Sequence, residues 1–382
     1  MISVDLYLTK YYNFDIILVS EVFVMKTLLV GDLSPTAVTD PYFAKKDVDA
    51  LFSKEVQDLF KSADMSFVNL EVALTDSEEG IKKFGPCLKA SGGTADLLKT
   101  LEVTVCGLSN NHIFDFGAKG VADTLAHLDR VGLPYTGYGD NYNDSRKNFL
   151  FEQNGEKICL IAVCEHEYSY ATDTEEGARP FDCFDTIDDI REAKKTADRV
   201  IVLYHGGKEH CRYPSPRLVK TCRAMVKAGA DLVLCQHTHI IGCFEEFEGG
   251  KILYGQGNFH FAGKYEGDGW NQFLATVYDT KTGDVEFIPL VNDGPQIKFA
   301  EGDEKEGIMK GLADRSALGE KGWCEGFRNV CLTDFAWYID VLGYKDAPED
   351  RHHLLAHYLD CEAHHDVLNE HFKTAHQKNE NR

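Results

Sequence analysis

Residues 103–115 read VTVCGLSNNHIFD. An apolar run of strand length stops, and two asparagines, a histidine and an aspartate follow directly. The same layout recurs outward in both directions. KTLLVG (26–31) leads into Asp32, and MSFVNL (65–70) carries Asn69 and leads into Glu71. ICLIAV (158–163) leads into Glu165 and Glu167, RVIVLY (199–204) into His205, and ADLVLC (230–235) into His237 and His239. Short runs this rich in Val, Ile and Leu read as strands buried on both faces. Between several of them lie helical patterns, such as VADTLAHLDRVG (121–132) and SPRLVKTCRAMVKAG (215–229), the latter closing on Gly229. Strand–helix alternation predicts an α/β core. In such folds the chemistry collects beyond the strand ends. Further on, KILYGQGNF (251–259), QFLATVYD (272–279) and DVEFIPL (284–290) sit close together, with turn residues between the last two, and read as an antiparallel group. From about residue 298 the chain turns charged (EGDEKEG, 301–307) and then helical to its end.

Composition narrows the partners. The 382 residues suffice for one large or two ordinary domains. A net charge of −22 argues against a nucleic-acid backbone or an anionic membrane. An anionic small-molecule or polyglutamate-like substrate stays open, because bound cations invert a local field. The twelve cysteines include no CxxC pair, and Cys106, Cys159 and Cys235 fall in apolar runs. They read as free thiols of a reducing, cytoplasmic setting. FDIILVSEVFV (14–24) carries Asp15 and Glu21 and is too short and too charged to span a bilayer, so no membrane anchor is expected. The segment 1–24 reads as an extension, either a start-site artefact or an extra edge strand.

Taken singly, the polar residues at the strand ends are ordinary. Asp32 in GDLSPT suits a turn or a helix cap, and His205 suits a core imidazole. His237 and His239, two apart, would point the same way on an extended segment and could meet one centre. Taken together they are specific. Two carboxylates, an asparagine and three histidines, distributed after five separate strands, form the oxygen and nitrogen donor set of a two-metal hydrolytic site. No thiolate belongs to the set, which argues against a structural zinc site.

In order, GD (31–32), NLE (69–71), NNHxxD (110–115), HxGxE (205–209), HxH (237–239) and YxxGNF (254–259) resemble the CapA-type proteins, named for poly-γ-glutamate capsule synthesis. Their fold is similar to the calcineurin-like metallophosphatases. The resemblance implies a four-layer α/β/β/α sandwich over 25–297 with a helical C-terminal region over 298–382. It also implies two divalent ions, Mn, Fe or Zn. Asp32 and His239 would bind the first ion, Glu71 would bridge, and Asn111, His205 and His237 would bind the second. His112 would face the substrate as general acid or oxyanion donor, with Asp115 orienting it or capping a helix. Metallophosphatases commonly carry Asp-x-His at the first strand. Here the triplet is Asp32-Leu33-Ser34, which implies a weak first position.

Around this core stand secondary candidates. Asn69, Glu209, Arg212 and Asn258 are candidate substrate contacts. Lys208, His210 and Arg217 add positive charge near His205, suited to an anionic group. Glu165 and Glu167 could receive an amine or hydroxyl. Seven histidines lie in the C-terminal region. His353 and His357, and Asp360 and His364, have the i, i+4 spacing of helix-borne metal ligands. Their apolar neighbours also fit an amphipathic helix packed on the main domain or on a partner. Function then has two principal readings. One is a metal-dependent hydrolase acting on a phosphoester or γ-glutamyl-type amide; the other is a non-catalytic component that binds or helps make the polymer. An amidohydrolase-like barrel is the third, and it fits poorly because its His-x-His comes early in the chain.

Overall fold

The computed structural model describes residues 26–153, 155–262, 269–342 and 349–380. The expectation for residues 1–24 therefore lies outside the described residues. Two sheets face each other. The eight-stranded sheet runs Gln296–Phe299, Val285–Asp293, Gln272–Asp279, Lys26–Leu33, Met65–Leu70, Val105–Gly107 and Tyr135–Thr136, with Asn258–His260 also pairing parallel to Lys26–Leu33. The six-stranded sheet runs Phe244–Phe247, Gly250–Leu253, Leu232–Gln236, Arg199–His205, Glu156–Cys164 and Phe149–Gln153. Lys26–Leu33, Met65–Leu70 and Val105–Gly107 run parallel in the first sheet, as do Gly250–Leu253, Leu232–Gln236, Arg199–His205 and Glu156–Cys164 in the second. In contrast, Gln272–Asp279, Val285–Asp293 and Gln296–Phe299 pair antiparallel.

Alternation along these strands sorts side chains into three cores. From Lys26–Leu33, Leu28 and Val30 face the helices, whereas Leu29 faces the other sheet. From Arg199–His205, Val200, Val202 and Tyr204 face one way, and Ile201 and Leu203 the other. The middle core is purely sheet on sheet at these positions, and the outer two are sheet on helix. This is the four-layer α/β/β/α sandwich implied by the motifs. A slip of one residue would exchange the two sets. Each buried Val or Leu is worth roughly 1.5–3 kcal/mol, so both faces hold the register.

One expectation fails. KILYGQGNF is not part of the antiparallel group, because it splits between the sheets. Gly250–Leu253 pairs parallel with Leu232–Gln236, and Asn258–His260 pairs parallel with Lys26–Leu33. The crossing passes through Gly257, whose φ of +78° suits glycine. Gly31 faces this crossing: a Cβ there would lie 2.1 Å from the Gly257 carbonyl oxygen. The strand register shifts between Val30 and Asp32, and that irregularity aims Asp32 beyond the strand end.

The strand Gln296–Phe299 runs across residue 297, and Ile297 is buried in the helix-side core. The first C-terminal helix, Gly302–Ala317, buries Ile308 and Leu312 in the middle core. The helices Gly319–Leu342, Glu349–Asp360 and Glu362–Glu380 follow and gather Phe327, Cys331, Tyr338, Leu354, Tyr358 and Val367 around Cys211.

Candidate metal centre

The C-terminal ends of the parallel strands from both sheets converge on one buried cluster. His205, at the end of Arg199–His205, is its hub. Its Nε2 lies 2.9 Å from Asn111 Oδ1, 3.2 Å from His237 Nδ1 and 3.3 Å from Glu71 Oε1. A tetrahedral ion with bonds of roughly 2.0–2.1 Å sets its donors about 3.3 Å apart, so these four atoms fit one ion. Asp32, Glu71 and His239 form a second group, and Glu71 belongs to both. Both Glu71 oxygens are buried with no hydrogen-bond partner. A carboxylate so placed is costly unless a cation neutralises it. The donor set therefore fits two divalent ions sharing Glu71, with no thiolate among the donors.

The field demands positive charge. Burial opposes the His205 imidazolium, but the carboxylates of Glu71 and Asp32 outweigh it and lift its pKa to about 10. Burial alone would raise the Asp32 pKa; His205, His239 and the Asn69 amide hold it at about 2. Asp32 Oδ2 also accepts from the His237 N–H at 2.9 Å.

The two histidines of His-x-His do not share a centre. Their segment lies past the strand Leu232–Gln236, and both residues have positive φ, +77° and +60°. The extended geometry expected from the spacing is absent. The turn sends His237 to the group with His205 and Glu71, and His239 to the group with Asp32 and Glu71. Positive φ at non-glycine residues is strain held by the surroundings.

Asn69 and Asn258 were candidate substrate contacts, but their partners are the donors themselves. Asn69 Nδ2 donates to Asp32 Oδ1 at 2.7 Å and lies 3.1 Å from His205 Nδ1. Asn69 Oδ1 accepts in turn from Asn110 at 3.2 Å. Asn258 Oδ1 lies 2.8 Å from His239 Nδ1. Both amides orient donors, and such partners set ring tautomers and tune a metal site.

Beside the cluster, His112 Nδ1 meets Asp115 Oδ2 at 2.7 Å. Lys83, which no sequence motif marks, closes the arrangement. Its buried ammonium donates to Asp115 Oδ1 and lies 3.2 Å from His112 Nδ1. Burial would raise the Asp115 pKa, but His112 and Lys83 outweigh it and hold the carboxylate charged. Asp115 Oδ2 also accepts from the Leu88 N–H at 2.7 Å, anchoring the loop that carries Lys83. No local signal marks Lys83, because that loop is joined to the site only by the fold.

Glu209 is part-exposed, with Oε1 3.9 Å from His239 Nε2. Arg212 is not brought to the centre. Its guanidinium donates to the Ile241 carbonyl and lines a separate cavity with Gln272 and Ile308. Arg217 is engaged by Glu165 and Asp366, so it braces the structure. In the C-terminal helices, His357 meets His364. A break at Cys361 puts His364 Nε2 2.7 Å from His357 Nε2. Above the centre lies a cavity of about 760 Å³, bordered by Asn111, His112, His237, Glu209, His357 and His364.

The fold and centre define an α/β/β/α sandwich protein with a candidate two-metal site at its strand ends. The family described as "Bacterial capsule synthesis protein PGA_cap" matches residues 26–262, more than half of the chain, and the chain belongs to that family. "Capsule biosynthesis protein CapA" of Bacillus anthracis is 29% identical over 246 residues, covering 61% of this chain and 58% of that protein. "PGA biosynthesis protein CapA" of Bacillus subtilis (strain 168) is 30% identical over 244 residues, covering 62% and 63%. The chain thus spans about six-tenths of the length of these relatives. A crystal structure of a phosphatase from Mycoplasma pneumoniae aligns over 72% of this chain and 95% of its own, at 16% identity and a TM-score of 0.46. Among the described residues, no helix is long and apolar enough to cross a membrane.

Proposed function

We propose that the chain is a metal-dependent hydrolase acting on a phosphoester or a γ-glutamyl-type amide. Two divalent ions, Mn, Fe or Zn, held by Asp32, Glu71, Asn111, His205, His237 and His239, would supply Lewis acidity and an activated water. The residues do the rest. Glu71 keeps the two positions adjacent. Asn69 and Asn258 fix Asp32, His205 and His239 in place. His112, oriented by Asp115, delivers a proton to the leaving group, and Lys83 keeps Asp115 ionised. Relatives named for capsule and PGA biosynthesis favour a polymer-derived substrate. The twelve free cysteines support a reducing, cytoplasmic setting.

The observation that carries this reading is the buried Glu71 carboxylate, shared by two donor groups and hydrogen-bonded by neither of its oxygens. The test is metal content by plasma mass spectrometry after reconstitution with Mn, Fe or Zn. Wild type should hold about two equivalents, and Glu71→Gln about one or none. No metal in wild type would end the hydrolase reading. Ser34, where an Asp-x-His site would place histidine, leaves the first position with three side-chain donors. That favours the second reading, a non-catalytic polymer-binding component, if only one equivalent binds and no turnover follows.

A further inference from the structure

The cavity over the centre has two kinds of wall. Its floor belongs to the sandwich, through Asn111, His112 and His237. Its far side belongs to the C-terminal helices, through Tyr338, His357 and His364. The chemistry proposed above uses none of the last three, yet they are highly organised. Tyr338 Oη lies 2.5 Å from His364 Nδ1, and His364 Nε2 lies 2.7 Å from His357 Nε2. The phenol hydroxyl can donate to His364, which can donate onward to His357. Burial holds both imidazoles below the usual histidine range, so they stand neutral. His357 stacks on Tyr168 with centroids 4.8 Å apart. Its Nε2 is also 3.5 Å from one oxygen of Glu167, whose other oxygen is 3.4 Å from Nε2 of His237. The helical wall thus reaches a metal donor through one carboxylate.

These helices are tied to the sandwich by charged and hydrogen-bonded pairs. Arg217 bridges Glu165 of the sandwich and Asp366 of the last helix. Glu165 also accepts from the Ala363 N–H at 3.1 Å. His166 pairs with Glu362, and Lys208 with Asp334. A volume of about 760 Å³ suits one small ligand. Lys83 and Lys208 on the lining are paired with Asp115 and Asp334, and Glu167 and Glu209 also border the cavity. The pull on an anionic group would therefore come from the cations of the proposed centre.

We propose that the C-terminal helices are a substrate cap that admits one small anionic molecule or one free chain end to the metal centre. Tyr338, His357 and His364 are its specificity-determining side chains. This rests on the hydrolase reading and narrows its substrate class. A chain interior, continuing in both directions, meets the helical wall and is excluded.

The test uses the manganese-loaded full chain with p-nitrophenyl phosphate and with a phosphoprotein whose phosphoseryl groups have chain on both sides. Wild type should hydrolyse the small ester at least ~100-fold more efficiently than the phosphoprotein. Tyr338→Phe and His364→Gln, both checked for native circular dichroism, should raise KM for the small ester about 5- to 10-fold with kcat within about 2-fold. A second readout is independent of turnover: broadening of the phosphorus resonance of inorganic phosphate by bound manganese. Phosphate should bind wild type and bind both variants about 5-fold more weakly. If no ester turns over but these binding shifts appear, the hydrolase reading fails and the cap stands. Comparable hydrolysis of the phosphoprotein, unchanged KM and phosphate binding in the folded variants, or no phosphate broadening in wild type would each overturn the cap.

Discussion

Single side chains decide the chemistry here, and His112 is the sharpest case. It lies beside the candidate donors, locked by Asp115 and Lys83. His112→Ala should lower kcat about 10²- to 10⁴-fold while leaving metal content unchanged. Parallel loss of metal would instead make it structural. His260 gives a second prediction, on stability. It is fully buried between Phe43 and Phe52, with Nε2 3.0 Å from the Pro295 carbonyl. Burial drives its pKa down to about 4 from 6.5. A base depressed in the folded state leaves the unfolded chain binding more protons between these values, so stability falls as pH drops from about 6.5 toward 4. Between pH 7 and pH 4.5 wild type should lose roughly 2 kcal/mol relative to His260→Gln, measured by urea denaturation at each pH. Parallel pH curves for the two proteins would refute it.

At the scale of elements, the strand ends carry the site and a glycine sets their aim. The bulge at Gly31 lets the strand pass the Gly257 crossing and present Asp32. Gly31→Ala forces a Cβ onto a backbone oxygen that cannot move alone, and overpacking of this kind costs about 3 kcal/mol or more. We expect a lower urea midpoint together with weaker metal binding. A loss of stability with unchanged metal affinity would uncouple the bulge from Asp32. The strands were readable because apolar runs of this length and composition admit few alternatives. The destination of KILYGQGNF was not, because pairing partners are chosen by tertiary packing rather than by local pattern.

At the scale of the whole molecule, Arg217 makes the most buried of the charged ties between the sandwich and its C-terminal helices. Removing it leaves Glu165 and Asp366 buried without their cation, and breaking such a pair costs about 3–5 kcal/mol. Arg217→Met should therefore release the last helices to trypsin well before the sandwich, with metal content kept. Simultaneous proteolysis of both parts would show one cooperative unit instead. The amphipathic pattern of 352–372 fitted a helix packed on the main domain or on a partner, but no pattern could say that its histidines face a cavity.

The amino-acid sequence by itself determined the α/β strand pattern and the candidate donors, and its motifs implied the four layers through a family resemblance. Hydrophobic periodicity is local, and side chains able to bind metal stand out where each strand run stops. The resemblance implied how those donors divide, but only the tertiary structure gave the cause: two residues of positive φ send His237 and His239 to different groups. It alone turned Asn69 and Asn258 toward donors, turned Arg212 away, and brought Lys83, Glu167 and His357 in from distant segments. The physical reason is the same in each case. Which atom faces which is set by packing between elements far apart in the chain, and spacing along the chain carries no record of it.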